Sequence, residues 1–360
     1  MTKKIYSTIT GTGNYIPERR IKNSDFLNHE FYESNGNPVA RDNNYIIEKF
    51  EEITTIAERR YVSDDLVASD IAYFAAKEAI EDAGIDAETL DYIIVAHNFG
   101  DVKHGSNRSD MVPALAARVK YKLKIENPEC VAYDLPFGCP GWLQGMIQAD
   151  YFIKSGDAKK ILVIGTETIS RIIDAHDRDS MIYADGAGAT IVEAFESESP
   201  VGILAHKTRS DTYRYAEMLT MGCSYNKTDT NKDDLYLKMN GRRLYQYALE
   251  TVPTSIKACL DKAGRDISDV NKVLIHQANG KMDDAIIERL YKLYGVDEVP
   301  EKVMPMIISW LGNSSVATVP TLLDLILKAK VDGHTINPGD CIVFASVGAG
   351  MNINAVVYNY

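Results

Sequence analysis

The chain has 360 residues, 45% of them hydrophobic and 25% charged, which is the usage of an ordinary globular protein. Its 39 Lys and Arg against 51 Asp and Glu leave a formal charge of −12. That argues against non-specific nucleic-acid binding and means an acidic partner must dock on a local basic patch. No apolar run approaches the roughly 18–20 residues of a membrane span, so none is expected.

The segment Met1 to Tyr6 leads straight into strand-like sequence without the apolar region of a signal peptide, so cytoplasmic residence is expected. The five cysteines (Cys130, Cys139, Cys223, Cys259, Cys341) are odd in number and include no C-x-x-C pair. The seven histidines form no H-x-x-x-H pattern. Neither a disulfide framework nor a metal site is expected.

Ile5 to Tyr15 alternates β-branched and small residues and reads as a first strand, passing Gly11-Thr12-Gly13 and ending in a loop at Ile16-Pro17. Residues 23–48 are polar, with turn chemistry at Asn35-Gly36-Asn37-Pro38, and are expected to form an irregular or helical excursion outside the core. Ser63 or Asp65 is placed to cap a helix through Ile71, Ala75, Ala79 and Ile80 that Gly84 ends. Asp91 to Ala96 has the length and composition of a buried strand.

The same order returns about half a chain later. Ala258 to Asp266 resembles Ala79 to Asp86 in pattern, and Val273 to Asn279 falls where Ile93 to Asn98 did. Gly138-Cys139 corresponds to Gly312-Asn313, each ahead of an apolar helical run. Gly156-Asp157 and Gly339-Asp340 each precede a strand, and Asp185-Gly186-Ala187-Gly188-Ala189 is echoed by Val347-Gly348-Ala349-Gly350-Met351. The period is far too long for a solenoid and implies a two-copy duplication. The expected class is α/β: two mixed β-sheets with helices between and around them, in halves 1–175 and 176–360, with the active site where the halves meet.

Cys139 stands between Gly138 and Gly141 where an irregular segment gives way to a helical run from Trp142. Pro140 suits a helix start. Free backbone donors and the positive end of the helix dipole favour thiolate over thiol there. Taken singly, a histidine after a buried strand (His276) is usually structural, and an Asn in a Gly-Asn-Ser-Ser loop (Asn313) is usually a turn former.

Together, Gly138-Cys139-x-Gly141, His276-Gln277-Ala278-Asn279, Gly312-Asn313-Ser314-Ser315-x-Ala317-x-x-Pro320 and Gly348-Ala349-Gly350 resemble the thiolase superfamily, most closely β-ketoacyl-acyl-carrier-protein synthase III. The resemblance extends to Gly11-Thr12-Gly13-x-Tyr15-x-Pro17 and Asp177-Arg178, and so covers nearly the whole chain. It implies a thiolase-like duplicated fold of five layers, αβαβα, and a condensing acyltransferase. In that reading Cys139 carries the acyl group, and backbone amides of Cys139 and Gly350 form the oxyanion hole. His276 and Asn313 then hold the enolate produced when a malonyl-type thioester loses CO2. An asparagine at position 313 offers no base, which favours decarboxylation over proton abstraction.

The resemblance also implies acyl-carrier protein or coenzyme A as thioester carrier, a homodimer with Met111-Val112-Pro113 near the neighbour's pocket, and no metal or redox cofactor. Expected substrate or carrier contacts are Phe50, Asn279, Lys281 and Arg289, with Lys292 alongside and Arg242 and Arg243 as a second basic candidate. The stretch Lys49 to Ile56 offers Phe50 but no arginine, and extra polar sequence lies near 30–45 and 224–236. Alternative outcomes are condensation of a fatty acyl group with a β-ketoacyl thioester to give dialkylresorcinol-type products, or plain acyl transfer.

Overall fold

The computed structural model describes residues 3–228 and 233–360. In the first sheet, strands β1 (Lys4–Tyr15), β2 (Tyr92–His97), β3 (Val131–Pro136), β4 (Lys160–Thr168) and β5 (Asp185–Ser197) lie in the order β1-β5-β4-β2-β3. β2 is parallel to both β3 and β4, whereas β5 runs antiparallel to β4 and to β1. In the second, β6 (Gly202–Ser210), β7 (Val270–Ile275), β8 (Cys341–Gly348) and β9 (Asn352–Asn359) lie in the order β6-β9-β8-β7. β7 is parallel to β8, and β9 is antiparallel to β8 and β6. The run β1-β5-β4-β2 therefore matches β6-β9-β8-β7 strand for strand, and β3 has no counterpart. This is the duplication read from the sequence.

The division expected at 175/176 falls too early. β5 completes the first sheet by pairing on both sides, with β1 and β4, so the chain passes to the second sheet only at 198–201.

The main helices are α1 (Ala68–Ala83), α2 (Gly141–Ser155), α3 (Gly241–Ala263), α4 (Gly280–Lys292) and α5 (Thr318–Leu327). α2 and α5 lie between the sheets, where Trp142, Ile147, Leu322 and Leu323 pack with Ile94 and Val163 of one sheet and Leu274 and Phe344 of the other. α1 covers the outer face of the first sheet, and α3 and α4 cover that of the second. The layers are thus αβαβα. Along β2, Ile94 and Ala96 face the central layer while Ile93 and Val95 face α1. A strand buried on both faces reads as an unbroken apolar run, and burying each large side chain is worth about 1.5–3 kcal/mol. A Cβ on Gly11 or Gly13 would stand 2.4 Å from Ala79 O or 2.3 Å from Ala75 O, so those glycines let α1 rest directly on β1.

Two local expectations change. α1 begins at Ala68, not after Ser63 or Asp65: Ser63 O accepts from Leu66 N in a preceding turn, and the Asp70 carboxylate accepts from Val67 N at 2.9 Å. Gly84 ends the helix in the left-handed conformation, as expected. The polar excursion is not wholly outside the core. Phe26, Phe31 and Ile46 bury a small cluster with Met181, and Asn43–Thr54 is helical. Of the polar stretch near 224–236, residues 229–232 lie outside the described residues; the flanking strands Leu219–Gly222 and Tyr236–Met239 pair as a hairpin. Among the described residues no helix is long and apolar enough to cross a membrane.

Candidate active site

The carboxyl ends of the parallel strands of both sheets converge, the usual position for a site in α/β sheets. The first sheet brings Asn98 after β2, Cys139 after β3 and Glu167 near the end of β4. The second brings His276 after β7 and the Gly348-Ala349 turn after β8.

Cys139 is one residue ahead of Pro140, the N-cap of α2. Gly138 adopts φ 74° to make the turn, and Gly141 N closes it on Gly138 O at 2.9 Å. A Cβ on Gly348 would lie 2.6 Å from Cys139 N, so only glycine lets the two halves' loops meet there. Gly348 and Ala349 make that contact. Gly350 turns just beyond at φ 75°, and its carbonyl accepts from Thr212 Oγ1 at 2.9 Å.

The helix start does not by itself give a free thiolate. Burial pushes the Cys139 thiol up to about 11, and the nearby Glu167 adds to this. The Ser315 hydroxyl opposes it, donating to Cys139 Sγ at 3.2 Å. Burial therefore works against the thiolate that the helix start favours.

His276 is buried, and burial pushes it down to about 4, so the imidazole is neutral at pH 7. Its backbone N–H bonds Ala345 O at 2.9 Å, and its Nδ1 has no hydrogen-bond partner. Gln277, fully buried, donates to Pro305 O at 2.9 Å and accepts from Ile307 N and Ile308 N. It clamps the segment that leads to Asn313. Asn279 caps α4, accepting from Met282 N at 3.1 Å. Asn313 is pinned by its backbone to Ile182 and Ala184, and its Oδ1 accepts from Ser315 N at 2.8 Å. The side-chain NH2 is left as its free donor group.

Two cavities are lined by residues of this constellation. One, of about 520 Å³, is lined by Asn313, Asn279 and Phe50, with Arg41, Lys49, Arg178 and Arg242 among its cations. The other, of about 240 Å³, is lined by Cys139, Ser315, Phe99 and Ile169 and by Met221 and Leu237 of the hairpin. Asn313 lines the first and Ser315 the second, and His276 lines neither. Of the expected contacts, Phe50 and Asn279 line the larger cavity. Lys281 is exposed beside Glu52 at 3.8 Å, outside the lining. Arg289 is not at that mouth: it lines a separate depression with Pro253 and Lys292, and its Nη1 bonds Leu249 O at 3.3 Å. Near-helical spacing had grouped Lys281, Arg289 and Lys292, but the latter two face α3. Arg242 of the second candidate pair does line the mouth, as does Arg41, which lies over the Tyr45 ring at 5.2 Å.

Comparison with known proteins agrees with this geometry. Residues 133–212 match the family model of 3-oxoacyl-[acyl-carrier-protein] synthase III, and residues 260–360 match its C-terminal model. A β-ketoacyl-[acyl-carrier-protein] synthase III from Xanthomonas euvesicatoria is 31% identical over 100% of both chains. The chain belongs to the 3-oxoacyl-[acyl-carrier-protein] synthase III family. Among solved structures, the synthase III of Aquifex aeolicus is similar with a TM-score of 0.77 at 29% identity, covering 98% of this chain and 100% of that one. The priming β-ketosynthase of the R1128 polyketide pathway is similar at 0.80 and 25% identity, covering 100% and 97%. The family is one of condensing acyltransferases, and the paired sheets described above are its thiolase fold.

Three residues of this synthase III site escaped the sequence reading: Ser315, Asn98 and Glu167. Ser315 stood in a recognised motif but carried no signal of its own. Asn98 and Glu167 reach the site only because β2 and β4 are neighbours in the sheet.

Proposed function

We propose that this ketosynthase loads an acyl group from a carrier-protein or coenzyme A thioester onto Cys139 and condenses it with a malonyl-type thioester. The observation that carries the reading is the pair of cavities, one lined by Cys139 and the other by Asn313. The nucleophile faces a small, largely apolar cavity suited to an acyl tail, and Asn313 faces a larger one with a cationic rim suited to a phosphorylated thioester arm.

In the first step the Cys139 thiolate attacks the thioester carbonyl carbon. The oxyanion is met by backbone amides at Cys139 and the Gly348–Gly350 turn, and collapse expels the carrier thiolate. In the second, the extender's C–C bond to its carboxylate breaks, CO2 leaves, and the electron pair is delocalised onto the thioester oxygen. A neutral His276 and the Asn313 NH2 are suitable donors to that enolate. The unpartnered Nδ1 supports a proton on Nε2, because a buried lone pair is more readily left unpaired than a buried N–H. The carbanion then attacks the acyl-cysteine carbonyl and returns Cys139 as thiolate. All these groups belong to the chain, and the proposal invokes no metal or redox cofactor.

Mass spectrometry of the protein incubated with acyl-coenzyme A and with acyl-carrier protein across chain lengths tests this. The expected outcome is a single acyl adduct on the Cys139 peptide, discharged as a β-ketoacyl product when malonyl thioester is added. Acylation surviving in Cys139→Ala would overturn it. Discharge by a β-ketoacyl thioester instead would move the assignment to the joining of two chains.

A further inference from the structure

Cys139 has a polar neighbour on its sulfur that neither the nucleophile nor the enolate donors account for. Ser315 Oγ stands 3.2 Å from Cys139 Sγ. Asn98 Nδ2 donates to the same Oγ at 3.1 Å, which occupies a lone pair and leaves the hydroxyl hydrogen for the sulfur. Asn98 is held in turn by Glu167, whose Oε1 accepts both the Asn98 backbone N–H at 2.8 Å and its side-chain NH2. Glu167 is 2% exposed and Ser315 is 3% exposed.

The backbone shows that this arrangement is imposed. Ser315 has φ 53°, the left-handed region that a non-glycine residue occupies only under strain. In that conformation its amide bonds Asn313 Oδ1 while its hydroxyl reaches Cys139. One strained residue thus ties Asn313 to Cys139.

Resting on the proposed role of Cys139, we propose that Ser315 is its activating partner, the hydroxyl hydrogen-bonding and holding the thiolate, and that Asn98 and Glu167 are positioning residues that aim this hydroxyl. Hydrogen bonds to charged groups are roughly twice as strong as neutral ones, so the contact favours thiolate over thiol. A charged Glu167 works in the opposite direction, since a second negative charge nearby disfavours the thiolate. Burial pushes the Glu167 carboxyl up to about 8, so it is mostly uncharged at pH 7. The other titratable groups packed about the cluster are Tyr183, His276 and Asp185. Tyr183 stays neutral, His276 is neutral above about 4, and Asp185 accepts from Val62 N, Ser170 N and Ser170 Oγ.

The test is the rate of Cys139 alkylation by iodoacetamide from pH 7 to 9.5, read by mass spectrometry without any acyl donor. The thiol proton goes to solvent, the thiolate displaces iodide, and the rate follows the thiolate fraction. Ser315→Gly keeps the backbone amide and accepts the positive φ, removing only the hydroxyl; alkylation at pH 8 is expected to fall about tenfold. Asn98→Leu is expected to slow it in the same direction, and serves if the glycine variant unfolds. Glu167→Gln keeps an acceptor without a charge and is expected to speed alkylation several-fold at pH 9 with little change at pH 7. A general loosening of the fold would move all variants alike, whereas here the signs differ. Wild-type rates in Ser315→Gly, or in Asn98→Leu should that variant stand in, would overturn the role of the hydroxyl. Slowing in Glu167→Gln would overturn the role assigned to the acid. Neither result bears on whether Cys139 accepts an acyl group, which the loading experiment reads separately.

Discussion

At the scale of single residues, what the sequence disclosed was chemistry carried on short local motifs. Cys139, His276 and Asn313 were legible because each sits in a glycine-bounded or strand-ending string with a matching partner in the other half. Glu167 and Asn98 were not, because their importance comes from desolvation and from strand adjacency. The same blindness applies to Asp283 on α4. It is fully buried, its oxygens are short of hydrogen-bond partners, and burial together with the neighbouring Asp284 holds its carboxyl well above the usual range against the pull of the Asn279 backbone N–H. A carboxyl raised in the fold is neutral there. Its contribution is intact below the ordinary carboxylate pKa and is lost as pH rises towards the raised value, because only the unfolded chain ionises freely. Asp283→Leu is therefore expected to raise the melting temperature at pH 7.5, by about 1–3 kcal/mol of stability, and to do much less at pH 4. Thermal unfolding of both proteins at the two pH values checks this; an equal shift at each would contradict it.

At the scale of elements, patterns with a strict stereochemical cause could be read and those set by tertiary context could not. The glycines at 84 and 264 end α1 and α3 because a left-handed residue must follow each helix. The start of α1 was misplaced because Ser63 and Asp65, good caps by type, sit in a turn ahead of it. β3 presents the clearest open element. It is the edge of the first sheet with no strand on its outer side among the described residues, and Val131 is exposed. We propose that a second copy pairs along this edge, with the exposed Met111 and Val112 nearby in sequence to the segment that would reach its neighbour. Val131 N points inward, bonding Asp91 O at 2.9 Å, so by alternation Ala132 N points outward. Ala132→Pro removes that outward donor while sparing the inner ladder. Sedimentation at micromolar concentration is expected to show a dimer for the wild type and at least a tenfold weaker one for the variant. A wild-type monomer, or an unaffected dimer in a folded variant, would exclude the edge as the interface.

At the scale of the whole molecule, a chain of net charge −12 gathers Arg41, Lys49, Arg178 and Arg242 around the mouth of its larger cavity. The sequence indicates that an acidic carrier needs local cations and offers α4 first and Arg242 and Arg243 second; only Arg242 of these lines the mouth. The mouth is instead assembled from three segments far apart in the chain, which no helical spacing can reveal. Some of these cations are already engaged: Lys49 pairs with Glu52 at 2.5 Å and Arg178 with Glu33 at 3.3 Å. Arg242 is exposed in the first turn of α3, where a cation opposes the helix dipole and so gains nothing from the helix itself. That placement suits a docking charge. Rim charges act mainly on encounter and on salt dependence rather than on the chemical step. Arg242→Glu is accordingly expected to raise KM for an acyl-carrier-protein substrate about tenfold at low salt while changing kcat less than about twofold. The same variant should handle a short N-acetylcysteamine thioester like the wild type, and its KM for the carrier should be less sensitive to added salt. Steady-state kinetics with the two donors distinguishes docking from damage: equal losses with both would place Arg242 in the fold or the chemistry instead of at the carrier's landing site.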